Sequence, residues 1–148
     1  MKGAAFTMSA ISVAAECPID MMMYYDTRPS AFCGVFDYYS YEKLKGYYPL
    51  YWYGMFYDEG MREVKPDKAH KDIYTLCGVD ANGKALAIIT HYSDNDKAHA
   101  KNVEIDFLEK GKYKVYYLDN EHDPETPIKT DKLNFKMDVN TCVLIKEI

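Results

Sequence analysis

The chain has 148 residues, of which 48% are hydrophobic and 28% charged, with a formal net charge of -5. That length fits one domain, or one domain plus a further piece, and the apolar content is enough for a packed core. The acidic balance excludes the basic, clustered footprint of a nucleic-acid binder, and no apolar run reaches the ~18 residues of a membrane-spanning helix.

The start, Met1-Lys2-Gly3-Ala4-Ala5-Phe6, opens an apolar stretch interrupted by Thr7, Ser9 and Ser12. This makes no convincing signal peptide, and localisation stays open. Residues 2–16 read as a helix, with Phe6, Met8, Ile11 and Ala15 on one broad apolar face. Pro18 ends that helix and pushes Cys17 toward extended geometry. Residues 19–25 then read as a strand buried on both faces, because Met21, Met22 and Met23 run on without polar alternation. Helix, tight turn and buried strand make half of a βαβ unit. A parallel strand needs parallel neighbours, and no other run of this kind occurs in the sequence.

Residues 26–45 form a long loop, of a length that more often serves function than packing. The tyrosine count is 15, and ten of these fall between Tyr24 and Tyr57. Residues 46–58 read as a second helix, starting near Tyr47 or Tyr48 so that Pro49 sits in the first turn. Leu50, Trp52, Tyr53, Phe56 and Tyr57 make it apolar on more than one side, which calls for burial or an absent partner. Packing is the better reading of the tyrosine-rich stretch, with a sugar platform as the rival. Gly60 is the expected left-handed cap.

From Met61 the period changes to two. Strands are expected at 62–64, 72–79, 84–92, 102–108 and 112–118, and 132–137 with 141–148 read as a closing hairpin around Asp138-Val139-Asn140. Asn82-Gly83 marks a hairpin turn, and residues 119–130 read as an acidic loop. Short strands with a turn about every ten residues are the pattern of a β-sandwich. The four cysteines, Cys17, Cys33, Cys77 and Cys142, show no C-x-x-C spacing. They read as buried free thiols.

Residues and order together resemble the C-terminal end of a clan A glycoside hydrolase, nearest to glycoside hydrolase family 39. The carrying residues are Met23-Tyr-Tyr-Asp-Thr-Arg-Pro-Ser, Cys33-Gly-Val-Phe-Asp, Leu44-Lys-Gly-Tyr-Tyr, Ala87-Ile-Ile-Thr-His-Tyr-Ser and Tyr116-Tyr-Leu-Asp-Asn-Glu-His-Asp. The resemblance implies a mainly β fold: an antiparallel β-sandwich at about 61–148, preceded by an α-β-α remnant of a (β/α)8 barrel at 1–60. Residues 2–16 then match the helix after barrel strand seven, 19–25 match strand eight, and 47–58 match the last helix. Both catalytic carboxylates of such an enzyme would lie upstream of Lys2, so no catalytic residue is assigned in this chain and the isolated chain is expected to be inactive.

Tyr25, Asp26, Arg28 and Phe32 follow the C-terminal end of the expected strand, the face where barrel active sites sit. They are the candidate substrate-binding residues, with an aromatic ring to stack on a sugar and Asp26 to bond hydroxyls. The resemblance leads one to expect Trp near Phe32, and Phe keeps the face but lacks the indole donor. The plainer alternative is an Asp26–Arg28 ion pair that shapes the loop. No metal or cofactor is expected: Asp94-Asn95-Asp96 and Glu121-His122-Asp123 read as turn chemistry.

The expected partner is a carbohydrate, through the complete enzyme, with no nucleic acid and no membrane. The apolar helices would be covered by the rest of a barrel, or by a second copy through Phe6, Met22, Trp52 and Phe56. The alternative function is a non-catalytic carbohydrate-binding or structural interaction domain.

Overall fold

A computed structural model describes residues 1–29, 31–66, 70–105 and 111–148. Among the described residues there are two helices and eight strands: α1 (Lys2–Ala15), α2 (Tyr47–Asp58), β1 (Arg62–Val64), β2 (Ile73–Val79), β3 (Ala85–His91), β4 (Lys101–Glu104), β5 (Tyr113–Leu118), β6 (Ile128–Thr130), β7 (Asn134–Met137) and β8 (Thr141–Glu147). Every strand pairing is antiparallel. The fold is therefore mainly β, with the two helices ahead of the strands.

Six strands form one sheet in the order β1-β2-β3-β8-β5-β6, and β4 with β7 forms a separate ribbon. The sheet is covered on both faces. On one side Met8, Ile11, Trp52 and Phe56 of the helices pack on Leu76, Leu86, Ile88 and Leu144. On the other, Phe135 and Met137 of the ribbon pack on Ala87, Ile89, Val115 and Ile145. Strand alternation assigns neighbours to opposite faces, so Leu86 and Ile88 serve one core while Ala87 and Ile89 serve the other. All seven residues of β3 are buried. The sandwich is thus unequal, and helices cover the outer face of its larger sheet.

Local chemistry explains the close approach of α2. A Cβ on Gly78 would stand 3.1 Å from the Phe56 ring and 3.0 Å from Met61 Cβ. The bare backbone of Gly78 lets that ring lie on β2. Lys146 reaches from β8 to Glu59 just past the end of α2, Nζ to Oε1 at 2.6 Å. Lys2 at the start of α1 meets Asp96 at 3.0 Å. Gly60 follows α2 with φ at 61°, as the sequence implies.

Several expectations need correction. The strand expected at 19–25 is not formed. The segment bends at Asp20 and joins no sheet, with Met21 at 75%, Met23 at 82% and Tyr25 at 83% exposure. A strand exists through its ladder bonds, and no described neighbour offers any. The closing hairpin also fails: β7 pairs with β4, and β8 inserts between β3 and β5. The turn at 138–140, with Asn140 at φ 63°, carries the chain from one layer to the other. The loop expected at 119–130 ends in β6, which pairs Ile128 with Val115. The strand expected at 102–108 begins at Lys101 and is described to Glu104, and residues 106–108 lie outside the described residues.

Burial overturns two further readings. Trp52 is 1% and Phe56 8% exposed, so neither offers a surface to a second copy, whereas Phe6 and Met22 are exposed. Of the cysteines, Cys142 is buried and Cys77 half-buried, but Cys17 and Cys33 are exposed; all four are free. The two exposed thiols flank the unpaired segment, whose lack of cover exposes them too.

Replacing Trp52 with Ala is expected to cost about 3–5 kcal/mol of stability. Tyr57→Ala, on the exposed side of the same helix, should stay within ~0.5 kcal/mol. Urea denaturation of the two variants checks the contrast.

Candidate functional site

The segment between the two helices carries the candidate residues, and its shape follows from a few local bonds. Asp26 takes a left-handed φ of 63°. Its carboxylate accepts two bonds from Arg28, Nε to Oδ1 at 2.7 Å and Nη2 to Oδ2 at 2.9 Å. The Arg28 hydrogen bond is the main reason the Asp26 carboxyl is held below its ordinary range. Just beyond, Gly34 closes a turn by donating its N–H to the Ala31 carbonyl at 2.9 Å. A Cβ on Gly34 would stand 2.5 Å from the Arg28 carbonyl, so the Cys33-Gly34 step admits no side chain there. Tyr24 Oη donates to the Cys33 carbonyl at 3.0 Å across the same turn.

Tyr25 and Phe32 behave differently. Phe32 is fully exposed, and neither ring stacks on another aromatic among the described residues. The structure thus brings Asp26 and Arg28 together and leaves Tyr25 and Phe32 presented outward. The bidentate pair matches the plainer reading of the two charges. A second compact piece follows: Phe36 bridges Lys43, Asp37 Oδ1 accepts the Tyr39 and Ser40 N–H groups at 2.9 Å each, and Val35 is buried.

This segment is fastened to the sandwich by residues that the sequence did not single out. Lys43 Nζ meets Glu125 Oε1 at 2.5 Å, and Tyr48 Oη donates to the same oxygen at 3.3 Å. Lys45 Nζ donates to the Asp119 carbonyl. Lys43 also lies 5.4 Å over the Tyr47 ring. Separations of 74 to 82 residues leave no sequence signal for such contacts. The receiving loop is itself built from turn chemistry. Asp119 Oδ1 accepts the N–H groups of Glu121 and His122 at 2.9 and 2.8 Å, and Asp123 Oδ1 accepts that of Glu125 at 3.0 Å. Burial acts to raise the Asp119 carboxyl, but those amides and the His122 ring outweigh it and hold it low.

His122 forms the one other cluster with a chemical look. Its Nδ1 lies 2.8 Å from Asp119 Oδ2, and its ring stacks on Tyr117 at 4.7 Å. The pair borders a shallow cleft of about 250 Å³ together with Lys136, Asp138 and Thr141. None of Tyr25, Asp26, Arg28 and Phe32 lines that cleft. His91, wholly buried in β3, has Nδ1 3.2 Å from the Met137 carbonyl and its Nε2 unpartnered. A carbonyl only accepts, so Nδ1 carries the proton. Among the described residues no three His, Cys, Asp or Glu side chains converge to hold a metal.

The carboxylates decide what chemistry is open to the chain. Among the described residues, the carboxylates with a displaced pKa, Asp26, Asp37, Asp80, Asp119, Asp123 and Glu125, are displaced downward by bonds to amides, hydroxyls or cations. A glycosidase general acid needs the opposite displacement, beside a second carboxyl across the scissile bond. These carboxylates cap turns and pair charges.

No family model and no curated protein matches this sequence. Among solved structures, the chain is similar to the catalytic domain of GH30 xylanase C from Talaromyces cellulolyticus, with a TM-score of 0.52 at 9% identity. The likeness covers 72% of this chain and 25% of that one. The likeness is one of fold, to part of that catalytic domain. The chain spans about a quarter of that neighbour, and the likeness lends nothing to family 39 in particular.

Thiol chemistry follows from the burial pattern. Burial pushes the Cys77 thiol up to about 11 and the Cys142 thiol up to about 12. Under native conditions near pH 8, Cys17 and Cys33 should be alkylated rapidly, while Cys77 and Cys142 react only on unfolding, as peptide mass spectrometry would resolve. Equal labelling of all four in the folded chain would contradict the described burial.

Proposed function

We propose that this chain is the C-terminal part of a glycoside hydrolase of clan A, dividing near Gly60 into the end of a barrel and an accessory β-sandwich. The observation that carries this reading is the uncovered run 19–25. It joins no sheet, and Ile19, Met21, Met22, Met23, Tyr24 and Tyr25 stand exposed almost without interruption along the chain. Soluble chains rarely leave such a patch without a partner. An eighth barrel strand, flanked by its parallel neighbours, would bury it. The likeness in fold to part of a glycoside hydrolase catalytic domain supports the reading.

In this reading the sandwich is mechanical. It holds α2 against the large sheet and braces the loop that follows the docked strand. Tyr25 and Phe32, presented outward, would face sugar, with Asp26 and Arg28 setting the backbone between them. The catalytic carboxylates would lie on residues outside this chain. The quoted motifs favour a family 39 relative and the structural neighbour is a family 30 xylanase. Xylose-based glycosides are therefore the first substrates to test.

Expressed with its native upstream sequence, the protein should hydrolyse 4-nitrophenyl β-xyloside or xylan, while the 148-residue chain alone should show no turnover. Turnover by the rigorously purified short chain, or an upstream sequence that encodes no barrel, would overturn the reading. In the active protein, Arg28→Ala should lower kcat/KM by about tenfold by releasing the loop. An unchanged value from steady-state kinetics would remove Arg28 from the site.

A further inference from the structure

We propose that the sandwich loop at 119–127 is a clamp that sets the conformation of the 31–45 segment, with Glu125 as its positioning residue. The contacts lie within this chain. Their bearing on hydrolysis rests on the reading above.

The argument begins with what the segment lacks. Among the described residues, its backbone bonds are all local: Ala31 N–H to the Arg28 carbonyl at 3.3 Å, Gly34 to Ala31 at 2.9 Å, Val35 to Thr27 at 3.4 Å, Asp37 to Glu42 at 2.8 Å, Tyr41 to Asp37 at 3.1 Å and Leu44 to Val35 at 2.8 Å. Only Val35 in it is buried among its apolar side chains. Such a segment has little to hold it by itself, and local opening is governed by few contacts. Its C-terminal limb is where the long-range bonds fall. A single oxygen, Glu125 Oε1, receives both Lys43 from the loop and Tyr48 from the first turn of α2. Lys45, two residues on from Lys43, reaches the Asp119 carbonyl at the other end of the sandwich loop.

The receiving side is pre-shaped. Asp119 and Asp123 each fold the 119–127 loop over their own carboxylates, so Glu125 and the Asp119 carbonyl are presented without the lysines. A rigid acceptor and a loosely held donor segment make an asymmetric device: losing the bond frees the 31–45 segment and leaves the sandwich intact.

The groups facing Glu125 are Lys43, Tyr48 and Asp123, the last of these also facing Lys45. Lys43 dominates and holds the Glu125 carboxyl below its ordinary value of 4.5. A depressed carboxyl contributes its bond above that ordinary value and loses it as pH falls through the lower folded value. Acid therefore opens the clamp, and neutral pH keeps it closed.

Hydrogen exchange read by mass spectrometry on the 148-residue chain tests this without any sugar turnover. In Glu125→Ala, protection of peptides covering residues 31–44 should fall at least tenfold, with β3 and β8 unchanged. Glu125→Gln keeps an acceptor and should give a smaller loss, and Lys43→Met should match the alanine variant. Wild-type protection over the same peptides should fall selectively when the pH is taken below 4. Unchanged protection in 31–44, or a loss spread equally over β3 and β8 in both Glu125→Ala and Lys43→Met, would overturn the clamp. Because the readout is exchange, failure here leaves the glycosidase reading untouched. An inactive upstream-extended protein would likewise leave the clamp standing.

Discussion

The fold depends on one strand that faces two cores at once. All of β3 is buried, paired through Ile73–Val79 on one edge and through Thr141–Glu147 on the other. Its even-numbered side chains, Leu86 and Ile88, lie under the helices, and its odd-numbered Ala87 and Ile89 lie under the β4–β7 ribbon. A strand flanked on both edges and both faces leaves no freedom of register, because a slip of one residue would exchange the two sets. The helices and the ribbon are each too small to form a core without it. The buried imidazole of His91 at its end, bonded to Met137, ties the strand to the ribbon by a polar contact as well.

The same arrangement explains where stability stops. Helix α2 is fixed by Trp52 and Phe56 and by the Glu59–Lys146 bond, and α1 by Met8 and Ile11. Between them, among the described residues, Val35 alone is buried. There, charge and turn chemistry replace apolar packing: Arg28 on Asp26, backbone amides on Asp37, and the two lysines on the sandwich loop. A segment ordered by exposed polar bonds is more responsive to pH and to a docking partner than one ordered by burial. The proposed role of the sandwich as a brace and the proposed docking of 19–25 both rest on this contrast.

Much of the architecture was legible from local pattern. Both helices, the cap at Gly60, the Asn82-Gly83 turn and the strands at β1, β2, β3, β5 and β8 follow from periodicity and from Pro and Gly positions. The Asp26–Arg28 pair was legible as an alternative, since two residues of opposite charge that close together can meet whatever the fold does. The clamp was not legible. Lys43 and Glu125 are ordinary surface residues until the fold sets them side by side. Nor was the exposure of Cys17 and Cys33, whose apolar neighbours in sequence do not cover them in space.

The sequence by itself determined the two helices, the mainly β class and most of the strands after Gly60, because these depend on side-chain period and on backbone restrictions within a few residues. Only the tertiary structure decided which strands pair, sending β7 to β4 and β8 to the centre of the large sheet. It also decided that residues 19–25 join no sheet. Pairing is a relation between distant segments competing for the same edges. An apolar run states that it must be covered without stating by what.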